Sequence, residues 1–129
     1  MEILLSAQLS TKHLLKQEIS RAHKGFIHAF NKHNANKCAS FYDSMAIVQY
    51  EHNQFIIGRY DIEEFWQDIL VPNIQAKFIL QKTLSVNKDF ISNFSRWQLN
   101  NGRALELKNT WTINENSTAA IVQQTLYTL

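Results

Sequence analysis

The stretch from Phe41 to Leu70, FYDSMAIVQYEHNQFIIGRYDIEEFWQDIL, constrains this chain more than any other. It reads as a helix end, a strand, a tight turn, a short return strand and an amphipathic helix opening at Gly58-Arg59. Within the strand, Ala46, Val48 and Tyr50 alternate with Ile47 and Gln49, the period of two of a half-buried strand. His52-Asn53-Gln54 supplies the turn and Phe55 to Ile57 the return strand. In the helix, Ile62, Phe65, Trp66, Ile69 and Leu70 recur at helical spacing, and Asp61 with Glu64 three residues later predicts a capping box. Pro72, the only proline, ends that helix.

The flanks complete a simple order. Before the stretch, Leu15, Ile19, Ala22, Phe26, Ile27 and Phe30 make one apolar face of a long helix that Ser10 or Thr11 could cap. A short second helix over about 35–42 would turn Cys38, Ala39 and Tyr42 inward. After Pro72 the period is two: Ile74, Ala76, Phe78, Leu80, Leu84 and Val86 alternate with polar residues. Asn87-Lys88-Asp89, Asn100-Asn101-Gly102 and Asn114-Glu115-Asn116 punctuate the strands Phe90–Leu99, Arg103–Ile113 and Thr118–Thr128. Three strands in hairpin succession form an antiparallel meander. Helices first and a long sheet afterwards is an α+β arrangement in one domain spanning 1–129. Long antiparallel strands coil. Helices on the concave side of such a sheet leave a cavity at one end.

Composition narrows the class of function. Thirteen Lys and Arg against eleven Asp and Glu give a net charge of +2, too small and scattered for nucleic acid or an anionic membrane. The single cysteine, Cys38, excludes an internal disulfide framework and fits a reducing, cytoplasmic setting. It reads as a small buried residue. No run reaches the ~20 apolar residues of a membrane helix, and MEILLSAQLSTKHLL lacks the features of a signal peptide. Zinc spacing, phosphate loop and nucleophile elbow are all missing, so neither metal nor cofactor is expected. His23, His28 and His33, spaced by five, rotate about 140° from one to the next on a helix and cannot line up as ligands.

Alternation along the late strands nominates two sets of inward residues. One holds Phe90, Ser92, Phe94, Arg96 and Gln98 with Leu105, Leu107, Asn109 and Trp111, then Ile121, Gln123, Thr125 and Tyr127. The complementary set includes Trp97, Glu106, Lys108, Val122, Gln124 and Leu126. The first has an apolar wall with a few orienting polar groups, the composition of a small-molecule site, and points to Arg96, Asn109, Trp111 and Gln123 as lining. A slip of one residue would put those polar groups on the outer face instead.

Phe30-Asn31 with Asn34-Ala35, Phe41-Tyr42-Asp43, and Gly58-Arg59 followed by Ile62, Phe65 and Trp66 resemble the NTF2-like superfamily. Within it they resemble the SnoaL-like and ketosteroid-isomerase-like pocket proteins. The resemblance implies a cystatin-like cone, N-terminal helices packed on a long, curved, mostly antiparallel sheet. It also implies that Trp66 and Tyr50 face the core or pocket mouth, and that Asp43 at the strand entry bonds a helix end or Arg59. Relatives that act as isomerases carry an acidic base late in the first strand. That position falls on Gln49, which cannot titrate, while Glu51 lies two residues on along the same face. His23 could reach the pocket from the first helix and pair with Glu51.

Three functions are compatible with these features. The first is a pocket for a small, partly hydrophobic molecule, where a buried Arg96 would favour a carboxylate or enolate. The second is a non-catalytic association domain that forms a homodimer through the outer sheet face. The third is an isomerase or hydratase using Glu51 and His23.

Overall fold

A computed structural model describes residues 2–87, 89–113 and 118–129, and their side chains from Leu15 onward. The order is α1 (Glu2–Asn31), α2 (Ala35–Ser40), β1 (Tyr42–Tyr50), β2 (Gln54–Ile57), α3 (Arg59–Ile69), β3 (Ala76–Val86), β4 (Ile91–Leu99), β5 (Ala104–Ile113) and β6 (Ala119–Thr128). The six strands form one sheet in the order β2-β1-β6-β5-β4-β3. Every pairing is antiparallel except β1 with β6. This is the α+β cone expected from the sequence.

The periodicities explain most of the elements. On α1 the buried residues are Ile19, His23, Phe26, Ile27, Ala29 and Phe30, a stripe at helical spacing. Phe26 and Phe30, four residues apart, project together from α1. Phe26 lies 5.4 Å from Trp66 and 5.5 Å from Trp97 between ring centroids, and Phe30 lies 6.0 and 5.4 Å from the same two rings. All four contacts are edge-to-face, each contributing about 0.5–1.5 kcal/mol beyond simple burial. These rings join α1, α3 and β4 into one core.

Several local expectations need correction. α1 begins at Glu2, so Ser10 and Thr11 lie inside the helix rather than at its cap. α3 starts at Arg59 with Gly58 as N-cap and makes no side-chain cap bond, so Asp61 sits within the first turn and no capping box forms. Arg59 holds the entry instead, donating from Nε and Nη2 to the Tyr42 carbonyl at 3.2 and 2.8 Å. Tyr42 belongs to β1, not to the second helix. Leu80 and Leu84 are exposed, because β3 is an edge strand with register shifts between Phe78 and Leu80 and between Thr83 and Ser85. Each shift reverses the alternation, as a bulge must. The turn proposed at Asn114-Glu115-Asn116 lies outside the described residues, as does Lys88 of the turn at 87–89.

Gly58 occupies φ 89°, ψ 150°, backbone space that essentially only glycine enters. A Cβ there would lie 3.7 Å from the Ser44 carbonyl oxygen, ordinary contact, so the penalty of a side chain is conformational rather than steric. Gly58→Ala is expected to cost about 1–3 kcal/mol in urea unfolding at unchanged m-value. An unchanged midpoint would show that the turn into α3 is not strained.

Candidate functional site

The concave face of the sheet and the helix α1 packed on it carry five buried polar side chains: Asn93, Ser95, Asn109 and Gln124 from the strands and His23 from α1. All are uncharged residue types except the titratable His23. They sit among Trp66, Trp97, Trp111, Tyr42 and Phe26, each fully buried. Strand register brings them together. Asn93 of β4 stands opposite Asn109 of β5, which stands opposite Gln124 of β6. Directly opposed residues share a face, so three amides from three strands abut.

A single hydrogen-bonded row results. Trp66 Nε1 donates to Tyr42 Oη at 3.1 Å, and Tyr42 Oη donates to Gln124 Oε1 at 2.6 Å. Gln124 Nε2 donates to Asn109 Oδ1 at 2.8 Å, and Asn109 Nδ2 donates to Asn93 Oδ1 at 3.0 Å. Trp111 Nε1 also donates to Asn93 Oδ1, at 3.1 Å. An indole N–H can only donate. The two tryptophans therefore fix which atom of each amide is oxygen: the four bonds from Trp66 to Asn93 run in one sense, and the Trp111 bond meets them at the Asn93 oxygen. Burial raises the Tyr42 pKa well above the phenol range, which keeps the proton it donates.

His23 approaches from α1. Trp97 Nε1 donates to His23 Nε2 at 3.2 Å, so the neutral ring carries its proton on Nδ1. The ring lies 5.0 Å from Phe78, 5.8 Å from Trp97 and 6.1 Å from Trp111. Desolvation in this surround lowers the His23 pKa from 6.5 to about 4. Burial likewise pushes the Cys38 thiol up to about 12, leaving it a packing group.

Three buried atoms on this face have no hydrogen-bond partner among the described residues: His23 Nδ1, Asn93 Nδ2 and Ser95 Oγ. Leaving such a group unsatisfied costs about 1–3 kcal/mol each, against total stabilities of about 5–15 kcal/mol. A cleft of about 120 Å³ opens between Leu15 of α1, Asn87, Asp89 and Phe90, Ile91 of β4, and Trp111 to Ile113 of β5. Ile91 and Trp111 line it, and Trp111 bonds to Asn93, so the end of the amide row lies one ring beyond the cleft. That volume is about four waters' worth, below the ~300 Å³ of a typical ligand site.

The residues named from the sequence divide between the two faces. Trp66, Asn109 and Trp111 join the row. Tyr50 lies half-buried at the far end, 5.2 Å from Phe65 and bonded to Thr128 at 3.1 Å. Arg96 and Gln123 are corrections. In β4 the inward set is Ile91, Asn93, Ser95, Trp97 and Leu99, one residue out of step with the favoured set. Arg96 therefore lies on the outer face, where its Nη2 pairs with Glu106 at 3.1 Å. Gln123 is exposed because Thr110 pairs with Gln123 while Trp111 pairs with Ile121, which leaves Val122 as an extra residue and brings Gln124 inward. Without a buried Arg96, the argument for an anionic ligand lapses.

The Glu51–His23 pairing does not form. Glu51, at φ 54°, accepts from the Thr128 amide at 2.6 Å and closes the end of the β1–β6 ladder, while His23 bonds Trp97. Gln49 donates to the His52 carbonyl at 2.8 Å and faces outward with its partner Phe55. Asp43 accepts from the Met45 amide at 3.1 Å rather than bonding Arg59. Among the described residues no three His, Cys, Asp or Glu side chains cluster as metal ligands would, and no helix is long and apolar enough to cross a membrane. Sequence reading missed Asn93 and Ser95, offered Gln124 only in the complementary set, and turned Tyr42 inward from a helix rather than from β1. The available signal was the alternative β4 phase, which puts Ile91, Trp97 and Leu99 inside together.

No protein-family model matches the sequence, and no curated protein is detectably similar to it. Solved structures do match. One from Novosphingobium aromaticivorans, provisionally designated a scytalone dehydratase, superposes with a TM-score of 0.79 at 12% identity, over 94% of this chain and 88% of that one. Another from the same organism, an NTF2-like protein with a cystatin-like fold, gives 0.78 at 12% identity over 97% and 88%. A provisionally designated calcium/calmodulin dependent protein kinase II association domain from Xanthomonas campestris gives 0.72 at 12% identity over 87% and 86%. The chain thus has the NTF2-like, cystatin-like fold. At such identities the likeness establishes architecture, and neighbours of such different designation leave function to the site.

The depressed His23 pKa sets a pH dependence. The unfolded chain binds a proton at this ring below 6.5, whereas the folded chain resists until about 4. Stability is therefore expected to fall by up to about 3 kcal/mol as pH drops from 6.5 to 4, then level off for this group. His23→Phe should remove that part of the slope in urea titrations across the window. An unchanged slope would mean that His23 protonates freely in the folded state.

Proposed function

We propose that this chain is a binding protein for a small, partly hydrophobic molecule, held on the concave face between α1 and β4–β6. One observation carries the reading: three buried polar groups on that face keep unspent hydrogen-bonding capacity beside a wall of tryptophan rings. Pocket sites have this composition, an apolar lining with few orienting groups. The designation of a structural neighbour as a dehydratase agrees with a small-molecule site on this fold. Among the described residues no carboxylate is buried on the concave face, so binding is favoured over acid-base turnover there. A library of single-ring compounds, screened on the three tryptophan indole N–H resonances, should yield ligands that shift Trp97 and Trp111. A screen whose responses all map to the outer face would sink the reading.

A specific feature also supports homodimerisation through the outer sheet face. Ile47 pairs with Ile57 and Gln49 with Phe55, so Ile47, Ile57 and Phe55 form one apolar patch, 41, 55 and 61% exposed. Gln123 and Thr125 adjoin it on β6. Apolar patches of this kind mark association surfaces. Sedimentation is expected to give a dimer at micromolar concentration, weakened at least about tenfold by Phe55→Asp. A wild-type monomer at that concentration would overturn the dimer.

A further inference from the structure

Charges that nearly cancel over the whole chain, to a net +2, separate in the fold. Lys16, Arg21 and Lys24 of α1, Lys32 just beyond it and Lys37 of α2 are all exposed. One carboxylate, Glu18, stands among them, and it is paired with Arg21 at 3.4 Å. α3 carries the opposite sign. Its Asp61, Glu63, Glu64 and Asp68 have no ion-pair partner among the described residues, and its one cation, Arg59, is held by the Tyr42 carbonyl. Asp61 in the first turn suits the helix dipole. Asp68 does not, because it lies in the last turn, where a carboxylate is unfavourable and no basic residue offsets it. The stability of α3 alone therefore does not explain its acidic column.

Each charged face has a matching piece of shape beside it. On the basic side a cleft of about 290 Å³ lies between α1, α2 and the start of β6. Ala22, Phe41 and Ala119 are its apolar lining, and Arg21 and Lys37 are its cations. The Phe41 ring is built into place. Gly25 opposes it, and a Cβ there would lie 3.1 Å from the ring. A glycine inside a helix weakens the helix, so α1 gives up stability to seat that ring. Lys37 Nζ lies over the same ring, 5.6 Å from its centroid. On the acidic side Tyr60, in the first turn of α3, is 74% exposed, more than any other large hydrophobic residue described. A protruding tyrosine beside carboxylates and an aromatic cleft rimmed by cations complement one another in shape and in charge.

We propose that a second copy of this chain fills the cleft, with its Tyr60 against Phe41 and its acidic α3 column along the basic column of α1. The spacings agree. Lys24, His28 and Lys32 recur every four residues, and Asp61, Glu64 and Asp68 recur at three and four. At about 1.5 Å per residue the two columns run about 12 and 10 Å. Tyrosine and cleft are also neighbours on one molecule. Arg59, which precedes Tyr60, bonds the carbonyl of Tyr42, which follows Phe41. Two such neighbours exchange reciprocally about a two-fold axis, so the contact closes as a pair instead of extending as a filament. It uses the helices and leaves the outer sheet face free. It therefore goes beyond the dimer proposed above and does not depend on it.

Sedimentation equilibrium of the full chain carrying Phe55→Asp, which breaks the outer-face dimer, tests the contact at about 25 and about 300 mM salt. Self-association should persist in that variant and tighten at least about tenfold at the lower salt, where exposed charges are less screened. In the same background, Glu64→Lys with Asp68→Lys, and separately Lys24→Glu with Lys32→Glu, should each weaken it at least about tenfold. An equimolar mixture of those two double variants should pair again, because each offers the charge that the other lacks. Tyr60→Ala should weaken association about tenfold at unchanged melting temperature, and Tyr60→Phe should retain it. A Phe55→Asp protein that stays monomeric at about 0.1 mM in low salt, or a mixture that does not pair, would overturn the proposal. So would a monomer that binds phosphatidylserine vesicles and loses them on Lys24→Glu with Lys32→Glu, which would assign the basic face to a lipid surface.

Discussion

Everything on the concave side depends on how α1 is seated. Phe26 and Phe30 lock edge-on against Trp66 and Trp97 and allow the helix one rotation about its axis. His23 lies three residues before Phe26, on the same face. Once the phenylalanines dock, the imidazole is carried into the core whatever its own preference for water. Its loss of charge, its tautomer and its bond to Trp97 all follow from that docking rather than from local sequence.

The sheet answers with polarity of its own. A core built for stability alone would fill positions 93, 95, 109 and 124 with Val, Ile or Leu, as it fills 105, 107, 121 and 126. Instead three amides and a hydroxyl are buried, and strand register pairs the amides so well that only the last is left over. A row of this sort specifies register, since slipping one strand would strand several donors at once. Specificity accounts for the satisfied bonds. It does not account for a row that stops one partner short.

Much of the architecture was legible because it rests on long, clean periodicities. The apolar stripe of α1, the Ile62–Trp66 face of α3 and the Asn-Gly hairpin each signal themselves within a few residues. The site was less legible, for two physical reasons. In β4 both phases of the alternation contain large apolar groups, Phe90 and Phe94 in one and Ile91, Trp97 and Leu99 in the other, so hydrophobicity alone does not choose. In β6 the extra residue at Val122 interchanges the faces midway, which puts Gln124 inside and Gln123 outside. Asn109 and Trp111 were placed inward because β5 carries no such ambiguity, with Leu105 and Leu107 in the same phase. Gly58 signalled its turn, whereas the absence of a capping side chain at α3 did not announce itself.

The pairing of β1 with β6 bears on how the molecule comes into being. Tyr42 neighbours Ile121 and Tyr50 neighbours Leu126, contacts that span most of the chain. Loops of that length close slowly, and folding rates fall as contacts become more distant in sequence. On a ribosome, β1 and β2 emerge early and wait as a two-stranded ribbon, too little sheet to hold its shape alone. Gln124, the central link of the buried row, follows its partner Tyr42 by 82 residues. The interior polar groups therefore find their partners only when β6 docks between β1 and β5, and the step that closes the sheet is also the step that assembles its buried amide row.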